Sequence, residues 1–224
     1  MNEQQLNDIR QKIVDLSLEY QKQDDFTGWF DVIYQESSGN TDQIPWAKMS
    51  HHPALENWLE TSDISQKKAL VIGCGLGDDA EILANKGASV TAFDIAPTAI
   101  EWCKKRFPNS SVNYLVADLL ALDASWQNSF DLIFESKTIQ ALPLSIRKQV
   151  IAAIASLIKP GGTLLIMTRI RATEDTPEGP PWPVSALELS QFHQLGYKEI
   201  SRTPYHDVNN PSVEQVLIEY QRIN

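Results

Sequence analysis

The short apolar run Ala69 Leu70 Val71 Ile72 passes directly into Gly73 Cys74 Gly75 Leu76 Gly77, and this junction constrains the fold more than any other stretch of the chain. Four apolar residues between Lys68 and Gly73 suit a strand buried on both faces of a parallel sheet. Glycines at alternate positions let the backbone turn sharply and admit a neighbour where a side chain would collide. From about Asp78 the chain reads as a helix. A glycine-rich strand-to-helix turn alone is as often a plain connector. Here a second run, Ser89 Val90 Thr91 Ala92 Phe93, closes on Asp94. Its distance from the turn is close to the roughly 20 residues expected of an acid that holds ribose hydroxyls. Together these features describe a nucleoside site.

The alternation continues. Pro97 suits a first helical turn, and a helix runs from there to about Phe107 before Pro108 and Asn109 end it. Residues 111–116 read as a third strand with Ala117 and Asp118 at its end, and residues 130–134 as a fourth closing on Glu135. A helix over 146–158, a stop at Lys159 Pro160 Gly161 Gly162 and a fifth strand over 163–168 follow. Such a pattern implies parallel βαβ units with right-handed crossovers and helices on both sheet faces. The tail differs, with a short helix over 187–195 and strands over 197–201 and 213–220 that pair antiparallel at one edge.

Ahead of the first strand, Leu6, Ile9, Ile13, Leu16 and Tyr20 recur at helical spacing, which places an amphipathic helix over residues 2–23. Aromatic residues then crowd the segment from Phe26 to Trp58, among them Trp29, Phe30, Tyr34 and Trp46. The expected fold is α/β: a doubly wound, Rossmann-like, mostly parallel seven-stranded sheet with an antiparallel C-terminal edge strand and an N-terminal helical cap. No repeat or low-complexity linker divides the chain, so residues 1–224 read as one domain, with the cap over 1–62 and the core over 63–224.

A net charge of −10 argues against a nucleic-acid partner, since proteins that grip phosphates carry a basic footprint. Lys104, Lys105 and Arg106 stand together, but read as the solvated last turn of a helix, where cations complement the macrodipole. Cys74 and Cys103 form neither a disulfide framework nor a zinc spacing. His51 and His52, being adjacent, point in different directions, and no metal is expected. The polar N-terminus carries no export signal and no run reaches the roughly 18 apolar residues of a membrane span, so a cytoplasmic protein that does not bind membranes is expected.

Ligands of open α/β sheets bind outside the carboxyl ends of the strands, and acids recur there: Asp78 and Asp79, Asp94, Asp118 and Glu135. A helix N-terminus favours anions. Two acids in the first turn already supply negative charge, which disfavours a pyrophosphate and favours a ligand with a cationic amine or sulfonium. S-adenosylmethionine carries both. Gly73, Cys74, Gly75 and Gly77 would line it, and Asp94, followed by Ile95, would accept both ribose hydroxyls. Asp118 and the Leu119 amide would meet the adenine, and Glu135 the methionine end.

The segments VIGCGLG, TAFDIAPTAI, VAD, FDLIFES and LIKPGG, in that order, resemble the class I S-adenosylmethionine-dependent methyltransferases over nearly the whole chain. Within that superfamily, IPWAKMSHHPALENWL and EGPPWPVSALEL resemble the thiopurine and thiocyanate (thiol/halide) methyltransferase group. That resemblance implies that Trp46 lies against the cofactor and that Pro181, Trp182 and Val184 border the substrate pocket. Ala47 stands where an acid is common in the group, and Ser136 Lys137 Thr138 does not reproduce the arginine-containing loop of its thiopurine enzymes.

Methyl transfer from a sulfonium neutralises charge, so positioning and desolvation can drive it. A thiolate, thiocyanate or halide needs no general base, whereas a hydroxyl or ammonium acceptor does. No base is evident in the sequence, and Trp29, Phe30, Tyr34 and Trp182 are expected to shape an apolar acceptor pocket. The expected function is methylation of a small soft nucleophile by a monomer or homodimer. The alternatives are a small-molecule O- or N-methyltransferase and a non-catalytic cofactor-binding module.

Overall fold

In chain order the elements are α1 (Glu3–Gln21), α2 (Gly28–Glu36), α3 (Pro53–Leu59), β1 (Lys68–Ile72), α4 (Asp78–Asn85), β2 (Ser89–Asp94), α5 (Pro97–Arg106) and β3 (Asn113–Val116). There follow β4 (Phe130–Ser136), α6 (Thr138–Ala141), α7 (Leu144–Leu157), β5 (Ile158–Arg169), α8 (Ala186–Gln194), β6 (Tyr197–Asp207) and β7 (Asn210–Arg222). The structure is a computed structural model describing residues 3–207 and 210–223. The expected helix start at Asn2 and the Leu6 side chain lie outside what it describes.

One seven-stranded sheet runs β3-β2-β1-β4-β5-β7-β6. Strands β1 to β5 are parallel; β7 is antiparallel to both β5 and β6, so the antiparallel strand expected near the edge lies one place inside it. The order reverses between β1 and β4, which opens the crevice where such sheets bind ligands.

Residues facing opposite sides of the sheet feed two cores. Leu70, Ile72, Ile133 and Ile166 face α7 and α8 and pack with Val150, Ile154 and Phe192. Ala69, Val71, Phe134 and Leu165 face the other way, with Leu55, Leu83 and Ile100 of α3, α4 and α5. This two-sided burial explains why the central strands read as continuous apolar runs rather than alternating ones. Each buried Leu, Ile or Phe contributes about 1.5–3 kcal/mol, so the sheet dominates the stabilisation. Helix α1 offers far less, with Ile13 buried and Ile9, Leu16 and Tyr20 only partly so.

Three expectations are corrected. The Lys159–Gly162 stretch does not separate helix from strand. Ile158 already pairs with Phe130 and Thr163 with Leu132, and the four residues between bulge out of β5. Strand β6 extends well beyond Ser201 because β7 pairs along its length, despite register shifts. Arg106 is not a solvated helix end: its guanidinium grips both Asp78 carboxylate oxygens at 2.8 Å and also donates to the Leu76 carbonyl. The pairing spans the start of α4 and the end of α5, so no local pattern announces it.

Candidate active site

The turn after β1 is left-handed at each glycine, with φ of 60° at Gly73, 53° at Gly75 and 90° at Gly77. Protein atoms fill the space beside two of them. A Cβ on Gly73 would fall 2.3 Å from the Thr138 hydroxyl, and one on Gly77 would fall 2.5 Å from the Tyr114 hydroxyl and 3.1 Å from Cys103 Sγ. Gly75 is roomier, its nearest neighbour being the Tyr34 hydroxyl at 3.4 Å. Gly73 and Gly77 therefore serve the packing of the turn, whereas Gly75 lies against the Tyr34 hydroxyl without crowding.

Strand β2 delivers Asp94 beside this turn. Its Oδ2 accepts the Gly75 N–H at 2.9 Å and its Oδ1 the Ala96 N–H at 3.0 Å. The half-buried Ile95 adds a further backbone bond. Burial pushes the Asp94 pKa up to about 6 against the pull of these donors. These three amides leave the carboxylate, with about four lone-pair sites, room for a further donor.

The acids at the α4 N-terminus do not face the crevice as unmatched charges. Asp78 is bound by Arg106, and Asp79 Oδ1 accepts the His52 N–H at 2.7 Å. Burial raises Asp79 to about 6. Their negative charge is spent on fastening α4 to α5 and to the start of α3, so they do not bias the turn against a pyrophosphate as the sequence suggests.

Glu135 stands one residue before the end of β4, opposite Ile72, and is fully buried. Its Oε1 accepts the N–H groups of Thr138 and of Ile139, the latter at 2.9 Å, while Oε2 has no partner among the described residues. Burial lifts its pKa to about 7. Asp118 lies at the end of β3 and caps a single 3₁₀ turn by accepting the Leu120 N–H at 2.8 Å; Leu119 is buried in the core beneath it.

Above Gly75 and Asp94 stands an aromatic wall. Trp46 Nε1 donates to the Tyr34 hydroxyl at 2.8 Å, and the Tyr34 ring packs edge-on against Trp46 and Trp102. Trp29 stacks on Phe30 with centroids 3.8 Å apart, and both meet Trp46 edge-on. Tyr34 and Trp29 are each 2% exposed. Burial and the Asp94 charge raise the Tyr34 pKa, which keeps it a neutral hydroxyl. Asp31 ties α2 to α5 by accepting the Thr98 N–H at 2.9 Å.

The expected pocket residues thus fall into two groups. Trp29, Phe30 and Tyr34 join Trp46 over the glycine turn. Trp182 belongs to a second wall, where its backbone N–H donates to the Gln140 carbonyl at 2.7 Å and its carbonyl accepts from buried Arg147 at 3.1 Å. Arg147 and Arg171 both bind Glu188, which completes the α8 capping box with Ser185. Residues that the sequence did not flag for the site are Thr138 against Gly73, Tyr114 and Cys103 against Gly77, and Arg106. Their partners are distant in sequence, and no spacing rule reaches them.

Residues 36–223 match the family model described as thiopurine S-methyltransferase. A probable thiol methyltransferase 2 of Arabidopsis thaliana is 30% identical over 74% of each chain. A thiocyanate methyltransferase 1 of Brassica oleracea is 25% identical over 80% of each. Among solved structures, the N-methyltransferase NodS of Bradyrhizobium japonicum with S-adenosylhomocysteine superposes with a TM-score of 0.67 at 18% identity, covering 85% of this chain and 97% of that one. The glycine turn, the strand-end acids and these likenesses agree, and the chain belongs to the thiopurine S-methyltransferase family of S-adenosylmethionine-dependent methyltransferases.

Proposed function

We propose that the chain methylates a small soft nucleophile, namely a thiol, thiocyanate or halide. The acceptor class rests on the thiol and thiocyanate methyltransferases that match 74% and 80% of the chain. The aromatic wall over Gly75 and Asp94 is the structural observation that supports it, because it offers an apolar boundary to a poorly hydrated acceptor.

S-adenosylmethionine supplies an electrophilic methyl group on a sulfonium. The residues present suit it. The Asp94 carboxylate would accept from the ribose, with Ile95 beside it, and the buried, unpartnered Glu135 Oε2 would take the cationic methionine end. Gly73, Cys74, Gly75 and Gly77 would line the cofactor, with Asp118 and Leu119 at the adenine and Trp46 against it. Trp29, Phe30, Tyr34 and Trp182 would bound the acceptor. The chain's own contribution is to position the reactants and exclude water, which favours a displacement in which charge is lost. We also propose that residues 1–224 act as one unit, monomeric or homodimeric, cytoplasmic and without a nucleic-acid or membrane partner. No helix among the described residues is long and apolar enough to cross a membrane.

One observation favours a second reading. Glu135, raised to about 7, has the pKa of a general base, which an oxygen or nitrogen acceptor would require. Formation of S-adenosylhomocysteine with a thiol, thiocyanate, iodide and a catechol separates the two. Turnover of the first three with a pH-independent rate for thiocyanate and iodide is expected. Turnover of the catechol alone, rising with pH, would establish the second reading, and tight cofactor binding without any product would establish a binding module.

A further inference from the structure

The methionine end of S-adenosylmethionine carries a carboxylate as well as an ammonium, and the acids of this site suit only the ammonium. As carboxylates, Asp94 and Glu135 repel an anion. A glycine turn before a helix ordinarily offers backbone N–H groups to anions, but here they are taken. The Cys74 N–H donates to the Phe93 carbonyl at 2.9 Å, the Gly75 N–H to Asp94 Oδ2 at 2.9 Å and the Gly77 N–H to the Cys74 carbonyl at 3.0 Å. The amides of Thr138 and Ile139 are spent on Glu135. These bonds leave the carboxylate to a side chain.

One hydroxyl beside the turn has a hydrogen to give. Tyr34 accepts the Trp46 Nε1–H at 2.8 Å, and among the described residues none accepts the Tyr34 O–H in turn. A phenol is a donor as well as an acceptor, so the bond from Trp46 holds the oxygen and leaves its hydrogen unspent. The hydroxyl also borders the roomiest place along the turn. A Cβ on Gly75 would meet it at 3.4 Å and no other described atom beyond its chain neighbours within 4 Å, whereas Thr138 closes Gly73, and Tyr114 and Cys103 close Gly77. Gly75 lies between the two acids: its amide bonds Asp94, and Glu135 pairs with Ile72, the residue before the turn. A ligand reaching from Asp94 to Glu135 passes this place. Burial and the Asp94 charge keep Tyr34 a neutral donor.

We propose that the Tyr34 hydroxyl donates to the carboxylate of the cofactor's methionine end, and that Trp46, bonded to the same oxygen, positions it. With the ammonium at Glu135, as inferred above, the carboxylate on the same carbon falls to Tyr34 whatever the acceptor is. The Tyr34 ring bounds the acceptor, and its oxygen serves the cofactor.

Calorimetry on the whole chain with two ligands tests this. S-adenosylhomocysteine carries the carboxylate, and S-adenosyl-3-thiopropylamine is the same molecule without it. Tyr34→Phe should bind the first at least tenfold more weakly than wild type and the second within about twofold, because hydrogen bonds to charged groups are the stronger kind. Trp46→Phe keeps a ring and drops the N–H. It should weaken S-adenosylhomocysteine about threefold more than the amine, and it carries the test if Tyr34→Phe does not fold. Equal losses on both ligands in these variants overturn the proposal and place the hydroxyl at the nucleoside. Wild-type affinity of Tyr34→Phe for both ligands also overturns it and leaves the hydroxyl to the acceptor. Glu135→Gln should weaken both ligands, since both keep the ammonium. If it weakens neither while Tyr34→Phe still discriminates, the carboxylate contact stands and only the ammonium's place is wrong. Neither ligand is a methyl acceptor, so failure of the acceptor reading leaves the test intact.

Discussion

At the scale of single residues, Asp94 is held between opposing forces. Burial favours its neutral form, while the Gly75 and Ala96 amides favour the carboxylate; burial wins, at about 6 against an ordinary 3.8. The folded chain therefore binds this proton more tightly than the unfolded chain, and the acid's contribution to stability falls as pH rises from about 4 to 6. The displacement corresponds to about 3 kcal/mol. Asp79 and Glu135 act in the same direction in overlapping windows, whereas Asp131, lowered by the Lys68 amide and by Lys159, and Glu199, lowered by Arg202, act in the opposite one. The informative quantity is thus a difference. Asp94→Asn should lose less stability than wild type between pH 4 and 6, measured by urea denaturation without cofactor; parallel curves would refute the assignment. At pH 8 the same variant replaces an acceptor oxygen with a donor, and calorimetry should find S-adenosylhomocysteine bound at least tenfold more weakly. Asp94 was legible in the sequence because its position at a strand end is local information. That Gly75 and Ala96 already occupy one side of each oxygen was not, because it depends on the turn's left-handed path.

Among the elements, α4 and α5 are joined by more than apolar packing. Arg106 binds Asp78 through two 2.8 Å bonds, with both side chains about four-fifths buried at 21% and 19% exposure. Charge-assisted, two-pronged bonds are the strong kind, and this one closes the helix that follows the glycine turn. A double-mutant cycle of Arg106→Gln and Asp78→Asn should give a coupling of about 1–3 kcal/mol in denaturant midpoints; a value near zero would make the pair ornamental. The basic run was visible in the sequence, yet Lys104, Lys105 and Arg106 look alike there. Lys104 and Lys105 are exposed, and only packing turns the third residue inward. The cap shows the same division. Helical spacing placed α1, but that Tyr34 and Trp46 bond to one another over Gly75 required the chain to fold back across the sheet.

For the whole molecule, a net charge of −10 sets a long-range field. Anionic acceptors such as thiocyanate approach against it, and salt screens the repulsion, with a Debye length of about 30 Å at 0.01 M and about 8 Å at 0.15 M. On the proposed function, kcat/KM for thiocyanate should rise about twofold across that range, while a neutral thiol responds little. Steady-state rates at matched pH check this, and a fall for thiocyanate would reveal a locally cationic entrance that outweighs the net charge.

The sequence alone determined the alternation of strands and helices, the buried central strands, the glycine turn and the strand-end acids. Each of these is written in periodicity or in spacing along one short segment, where backbone geometry leaves few choices. The tertiary structure decided how the pieces meet: Arg106 on Asp78, Thr138 against Gly73, the unpartnered Glu135 oxygen, Trp182 on a wall apart from Trp29 and Tyr34, and the Cys103 thiol on the Gly75 carbonyl. Such contacts join residues far apart in the chain, and their geometry depends on how helices settle on the two faces of the sheet. That is fixed by the packing of the whole core and by no local pattern.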